Sequence, residues 1–223
     1  MIKRALVLVE GQTEERFVKD VLAPAFEQRS LYLTPRILVT KRVKNGPNFK
    51  GGVTSFAKFE ADVRRLRHGS GDALVTTLLD YYGLPDDFPG MSDRPNSSPL
   101  QRVQHVENAV RSYFRNPKNF LPFLALHEFE AWLFASREEL PRVLNQSEKT
   151  REFTAIRDSF ATPEEINERS EWAPSIRITK LFPGYRKMLH GPIVVGRIGL
   201  EKIRSECAHF AWWLSQLDLY AAT

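Results

Sequence analysis

The sequence predicts an α/β fold, with a mostly parallel sheet flanked by helices and a helical C-terminal extension. Three observations predict it. Short apolar runs without alternation, at 5–9 and 73–79, read as strands buried on both faces. They alternate with segments of helical spacing, which argues for right-handed crossovers between parallel strands. Both runs end abruptly in an acid, Glu10 and Asp80, and ligands of open α/β sheets bind at that carboxyl edge.

Taken in order, Ala5 to Val9 is the first strand, and Gly11 turns the chain after Glu10. Thr13 is the expected N-cap of the next helix, with Glu14 and Glu15 in its first turn. Phe17, Val21 and Leu22 share one face of that helix, and Pro24 is expected to kink or end it. Leu31 to Thr40 reads as a second strand weakened by Pro35. Lys41 to Gly52 reads as a basic loop. Phe56, Phe59, Val63 and Leu66 mark a second helix, ended by Gly69 to Gly71. Gly83 to Pro99 is a long Pro/Gly/Asp/Ser-rich loop, of the kind that is usually functional in a compact domain. Leu100 to Arg115 is a third helix, and Phe120 to Leu126 is a fourth apolar run despite Pro122. That run ends in His127-Glu128-Phe129-Glu130 and continues as a helix over 131–135. Beyond it the chain is mostly helical. Ala173 to Phe182 reads as extended or helical, and Gly199 to Leu219 as one amphipathic helix with Leu200, Ile203, Cys207, Phe210, Leu214 and Leu217 on its apolar face. The expected division is an α/β part over residues 1–135 and a helical part over 136–223 packed on it, or one continuous domain.

Composition narrows the function classes. No apolar run approaches the roughly 18 residues that span a bilayer. The N-terminal stretch has no signal-peptide pattern, and the single cysteine, Cys207, rules out an internal disulfide. A reducing, cytoplasmic setting is expected. Net charge is +5, unevenly spread. Arg36 to Arg67 carries nine Lys/Arg against two acids, and Arg177 to Arg204 seven against one. Two basic segments beside acid-bearing strand ends suit an anionic polymer, most simply nucleic acid. Solvated helix faces account for the charge equally well. Among the basic residues, Lys44, Lys50, Arg177 and Lys180 are the candidate phosphate contacts.

Glu10, Asp80, Glu128 and Glu130 form the main constellation, with Glu14 a fifth member. Clustered carboxylates repel and cost desolvation, so a fold keeps them together mainly for a cation. Oxygen ligands without Cys or paired His suit Mg²⁺ or Mn²⁺. Two such ions can activate a water and stabilise the leaving oxygen in phosphodiester cleavage. A single strand-end acid is more simply a turn former or helix cap, and three strand ends favour a metal. His127-Glu128 does not begin a zinc-protease motif, because the residue four after His127 is Ala131. Walker A, Gly-x-Ser-x-Gly and G-x-G-x-x-G patterns are absent. Cys207 reads as core, Trp212 and Trp213 as core and interface rather than base-stacking, and His209 is given no role. Tyr81 and Tyr82 read as strand-corner packing or as a stacking contact.

Glu10 in Val-Glu-Gly-Gln-Thr-Glu, followed by strand-end Asp80, resembles the Toprim superfamily of topoisomerases, primases and OLD-type nucleases. More narrowly, Asp80-Tyr81-Tyr82-Gly83-Leu84-Pro85, Leu126-His127-Glu128-Phe129-Glu130-Ala131, Ala173-Pro174-Ser175 and the stretch from Ile198 to Phe210 are similar to a bacterial Toprim-like family. The likeness covers nearly the whole chain. It implies a Toprim-like domain over 1–135 and a Mg²⁺-dependent nuclease acting on DNA or RNA, with Glu10, Asp80 and Glu128 catalytic. It also implies an AAA- or ABC-type ATPase partner and a place in phage defence. One departure stands out. The family's Asp-x-Asp pattern would put a second Asp at position 82, where this chain has Tyr82. The missing ligand would come from Asp86 or Asp87 if the loop folds back, or from Glu128 and Glu130. The alternative is a non-catalytic Toprim-like subunit that binds nucleic acid or docks on an ATPase.

Overall fold

The structure is a computed structural model that describes residues 2–38, 53–166 and 170–223. In chain order, β1 (Lys3–Val9) leads into α1 (Gln12–Phe17), a π-helical turn (Val18–Leu22) and α2 (Ala23–Glu27). There follow β2 (Leu31–Ile37), α3 (Phe56–Gly69), β3 (Leu74–Asp80), α4 (Pro99–Tyr113), β4 (Phe120–Leu121) and β5 (Leu124–Ala125). A 3₁₀ segment (Phe129–Ala135), α5 (Glu139–Val143), α6 (Thr150–Asp158), α7 (Pro174–Leu181), α8 (Lys187–Ile198), α9 (Leu200–Glu206) and α10 (Ala208–Ala222) complete it. The expected α/β class and helical C-terminal extension are present.

Every strand pair in the sheet is parallel, in the order β2-β1-β3-β4, with β5 also on β3. The doubled pairing comes from Pro122, which interrupts the apolar run. Thr77 spans the gap, since its Oγ1 donates to Phe123 O (2.7 Å) and accepts from Phe123 N (2.8 Å). Pro35 sits in β2, at the sheet's edge, where a missing ladder donor is tolerated.

Both faces of the sheet are covered, as the unbroken apolar runs require. Ala5, Val7, Val9, Leu74 and Leu78 join one cluster with Phe17, Trp132, Phe210 and Trp213. Leu8, Val75 and Leu79 join the other with Phe59, Val63, Val103 and Val106 of α3 and α4. The C-terminal helices therefore cover one face, and α3 and α4 the other. Trp213 fixes α10 by donating from Nε1 to Thr76 Oγ1 of β3 (2.9 Å).

Two local expectations, the Thr13 N-cap and the single helix after Gly199, are corrected, and two others are made more definite. The N-cap of α1 is Gly11, not Thr13, and the Glu14 carboxylate accepts from Gly11 N (3.0 Å). Pro24 does not end the helix. The chain runs on from α1 to α2 through the π-helical turn, whose wider backbone accommodates the missing donor. The stretch after Gly199 is two helices, because Cys207 is extended (φ −125°, ψ 95°) and the Glu164 carboxylate accepts from His209 N and Phe210 N, fixing where α10 begins. The helix expected over 131–135 is present as a 3₁₀ segment, Phe129–Ala135. The expected basic loop at 41–52 lies outside the described residues.

Candidate metal centre

The carboxyl ends of β1 and β3 are adjacent, so Glu10 and Asp80 meet. Glu10 Oε2 accepts from Asp80 N at 3.1 Å. Asp80 in turn orders the next crossing, its Oδ1 accepting from Phe129 N (2.9 Å). Between the β5 end and that 3₁₀ segment the chain bends sharply at His127, a non-glycine residue with φ 69° whose carbonyl accepts from Tyr82 N (2.9 Å). Such a left-handed turn is costly for a side-chain-bearing residue and clusters at functional sites. Here it is followed by Glu128 and Glu130, both buried.

Each of these acids has its own support. Ser175, in the first turn of α7, donates to Glu128 from its backbone N and from Oγ, the latter at 3.0 Å from Oε2. A helix N-terminus has spare N–H donors and a positive dipole end, so it suits a carboxylate. Tyr185 donates to Glu130 Oε1 at 3.3 Å. Glu130 is 0% exposed, and its Oε2 is buried without a hydrogen-bond partner, 3.0 Å from Lys187 Nζ. The same ammonium lies 3.2 Å from Asp80 Oδ2 and 3.7 Å from Glu14 Oε1. Lys187 opens α8, which packs tightly here. A Cβ on Gly191 would stand 3.0 Å from the Phe129 ring and 3.3 Å from Tyr185 Oη.

The electrostatics follow from burial and like charge. Burial and the neighbouring Asp80 push the Glu10 carboxyl up to about 8 and the Glu14 carboxyl up to about 7. Burial also pushes Glu130 up to about 7, against the pull of Lys187. Burial raises Glu128, and Ser175 opposes the rise. For Lys187, burial alone would lower the pKa, but Asp80, Glu130 and Glu14 raise it further, above the ordinary lysine value. His127 is pushed down to about 4, by burial and then by Arg102, so it is neutral near pH 7.

The donor set fits a hard divalent cation. Asp80, Glu128 and Glu130 each offer a carboxylate oxygen, and these atoms lie within 4.8 Å of one another. The ligands are all oxygen, and Glu130 Oε2 is fully buried with the Lys187 ammonium 3.0 Å away. Asp80, Glu128 and Glu130 would hold the ion, with Glu10 and Glu14 beside it.

A family model described as a domain of unknown function, DUF4276, matches residues 9–218. The chain belongs to the DUF4276 family. No curated protein matches it. Among solved structures, it is similar to the C-terminal region of the Xanthomonas campestris pv. campestris OLD protein. That likeness has 16% identity, covers 97% of this chain and 98% of the other, and has a TM-score of 0.38. Agreement this loose says nothing about chemistry.

Of the residues singled out from the sequence, Glu10, Glu14, Asp80, Glu128 and Glu130 come together in this family member. Glu128 and Glu130, rather than the Asp86–Asp87 loop, complete the acidic group. Asp87 is engaged elsewhere, its carboxylate accepting from Phe56 N at the start of α3. Arg177 and Lys180 lie on α7 and flank Trp172, while Lys44 and Lys50 lie outside the described residues. His209 is a core histidine whose Nε2 lies 2.9 Å from Glu107 Oε1. The sequence reading missed Lys187, Tyr185 and Trp172 and gave Ser175 no role. The only signal for Lys187 was its place in a basic segment.

Proposed function

We propose that the chain is a Mg²⁺- or Mn²⁺-dependent phosphodiester hydrolase, a nuclease of DNA or RNA. The observation that supports this reading is the convergence of Asp80, Glu128 and Glu130, with Glu10 and Glu14, at the carboxyl edge of a parallel sheet. Bound divalent ions would supply Lewis-acid stabilisation of a phosphodiester's developing charge. The chain's own residues prepare that site. Ser175 and Tyr185 fix the orientation of Glu128 and Glu130. Lys187 keeps the carboxylates together and offers a cation where a phosphate would sit. In this reading Arg177 and Lys180 hold the polymer backbone, with Lys44 and Lys50 as further contacts.

The family likeness read from the sequence extends the proposal to a Toprim-type site, a cytoplasmic setting, an AAA- or ABC-type ATPase partner and phage defence. Cleavage of plasmid, single-stranded DNA and RNA with Mn²⁺, with and without such a partner, tests the central claim. Cleavage lost in Glu10→Gln and Asp80→Asn is the expected result. Equal cleavage by both variants and the wild type would overturn it. A second reading, a non-catalytic subunit that binds nucleic acid, is favoured by one observation: the Lys187 ammonium already pairs with three carboxylates of the cluster. Nucleic-acid binding indifferent to Mn²⁺, with no cleavage by the wild type, would select it.

A further inference from the structure

Three exposed apolar side chains lie close in the chain to residues that form or hold the acidic cluster. Tyr82, two residues after Asp80, is 50% exposed. Ile176, next to the Ser175 that holds Glu128, is 38% exposed, and Trp172 is 47% exposed. Trp172 lies three residues before Ser175, so their Cα atoms are at most about 11 Å apart. Of the four tryptophans, Trp132 and Trp213 are fully buried in the core, while Trp172 and Trp212 are exposed, at 47% and 38%.

Trp172 is also held in place and flanked by two cations. Arg177 Nε donates to Trp172 O (2.8 Å), and its guanidinium lies 5.2 Å from the ring centroid. The same guanidinium lies 5.1 Å from the Phe160 ring, and Lys180 Nζ lies 4.9 Å from the Trp172 ring. Cations over an indole fix its orientation. Here they also set two positive charges beside an exposed aromatic surface, outnumbering the adjacent acid Glu171. An aromatic face flanked by cations matches a nucleotide with an unpaired base, the base stacking and the phosphates meeting the cations. A paired duplex hides its base faces and cannot use it.

We propose that Trp172, with Arg177 and Lys180, is a stacking platform that seats an unpaired nucleotide of a single-stranded nucleic acid beside the carboxylate cluster. The inference rests on the nuclease reading and names its substrate as single-stranded. Trp172 acts as a substrate-positioning residue.

The test is anisotropy of a labelled fifteen-residue oligothymidylate in EDTA, where cleavage cannot occur, for the wild type, Trp172→Ala and Trp172→Phe. Loss of one base stack weakens binding about tenfold, so Trp172→Ala should lose that factor and Trp172→Phe should recover most of it. An abasic oligomer of equal length, which keeps the phosphates and lacks the bases, should bind wild type and Trp172→Ala equally. Oligothymidylate affinity unchanged in Trp172→Ala would overturn the platform and assign the exposed ring to a protein partner. Equal weakening toward the abasic oligomer would overturn it as well, since the variant would then have lost only charge or fold. The two proposals fail separately. Cleavage that needs Glu10 but ignores Trp172 leaves the nuclease without the platform. Trp172-dependent binding with no cleavage under any metal leaves a single-strand binding module.

Discussion

Lys187 is the residue on which the metal-free site turns. Three carboxylates face its ammonium, and those of Glu14 and Glu130 are buried. Replacing it with Met leaves like charges without a counter-charge, which is costly inside a protein. In EDTA, Lys187→Met should lose about 2 kcal/mol of stability, on the order of one unsatisfied buried polar group. Urea unfolding with and without Mn²⁺ checks this, and Mn²⁺ should stabilise the variant more than the wild type. A variant as stable as the wild type in EDTA would show that the ammonium is not the counter-ion. The raised carboxyls set a pH dependence of defined sign. Glu10 titrates near 8, and Glu14 and Glu130 near 7, against an ordinary value of 4.5. Between those values the folded chain binds more protons than the unfolded one, so stability falls as pH rises. The contribution is complete below about pH 4.5 and is lost by about pH 8. Metal binding must displace the same protons, so apparent Mn²⁺ affinity should rise from pH 6 to 8 with proton release. Titration calorimetry in two buffers of different ionisation enthalpy measures that release, and its absence would show that these carboxyls do not bind the ion.

At the scale of elements, the site depends on how closely α8 approaches α1 and the 3₁₀ segment. Gly191 permits that approach, with room for no side chain against Phe129, whose own backbone N–H orders Asp80. Gly191→Val should therefore cost about 2 kcal/mol through overpacking and weaken Mn²⁺ binding together with stability. Urea midpoints and Mn²⁺ titration on the same preparation test whether the two losses travel together. Wild-type stability in this variant would mean that α8 can shift without consequence. The elements also show what local pattern can reveal. The strands at 3–9 and 74–80 were legible because burial on both faces leaves a mostly apolar stretch without alternation, and the acids at their ends were legible with them. The break at Cys207 was not. The apolar spacing continues through it, and its cause is the carboxylate of Glu164, more than 40 residues earlier in the chain. Lys187 was illegible for the same reason, since nothing near it in sequence says that α8 will reach the strand ends.

Across the whole molecule, the acidic cluster ties together segments that are distant in the chain. Glu10 and Glu14 follow β1, Asp80 ends β3, Glu128 caps the 3₁₀ segment and Glu130 lies in its first turn, and Ser175 and Lys187 open α7 and α8. An ion held there would link both flanks of the sheet's carboxyl edge to the C-terminal helices. It would bind only the folded chain, because the unfolded chain does not assemble these ligands. Binding restricted to the folded state stabilises it by about 2.7 kcal/mol when the free ion is at one hundred times its dissociation constant. For a chain of 223 residues, each kilocalorie raises the melting temperature by roughly 2–4 °C. Saturating Mn²⁺ should thus raise the wild-type melting temperature by about 5–10 °C. The Glu10→Gln, Asp80→Asn double variant should show no such rise, while its circular dichroism stays that of the wild type. Ca²⁺ at equal concentration separates a selective site from diffuse charge screening, because screening would stabilise both proteins alike. A similar rise in the double variant would place the ion elsewhere on the molecule and remove the strand-end cluster from consideration as a metal centre.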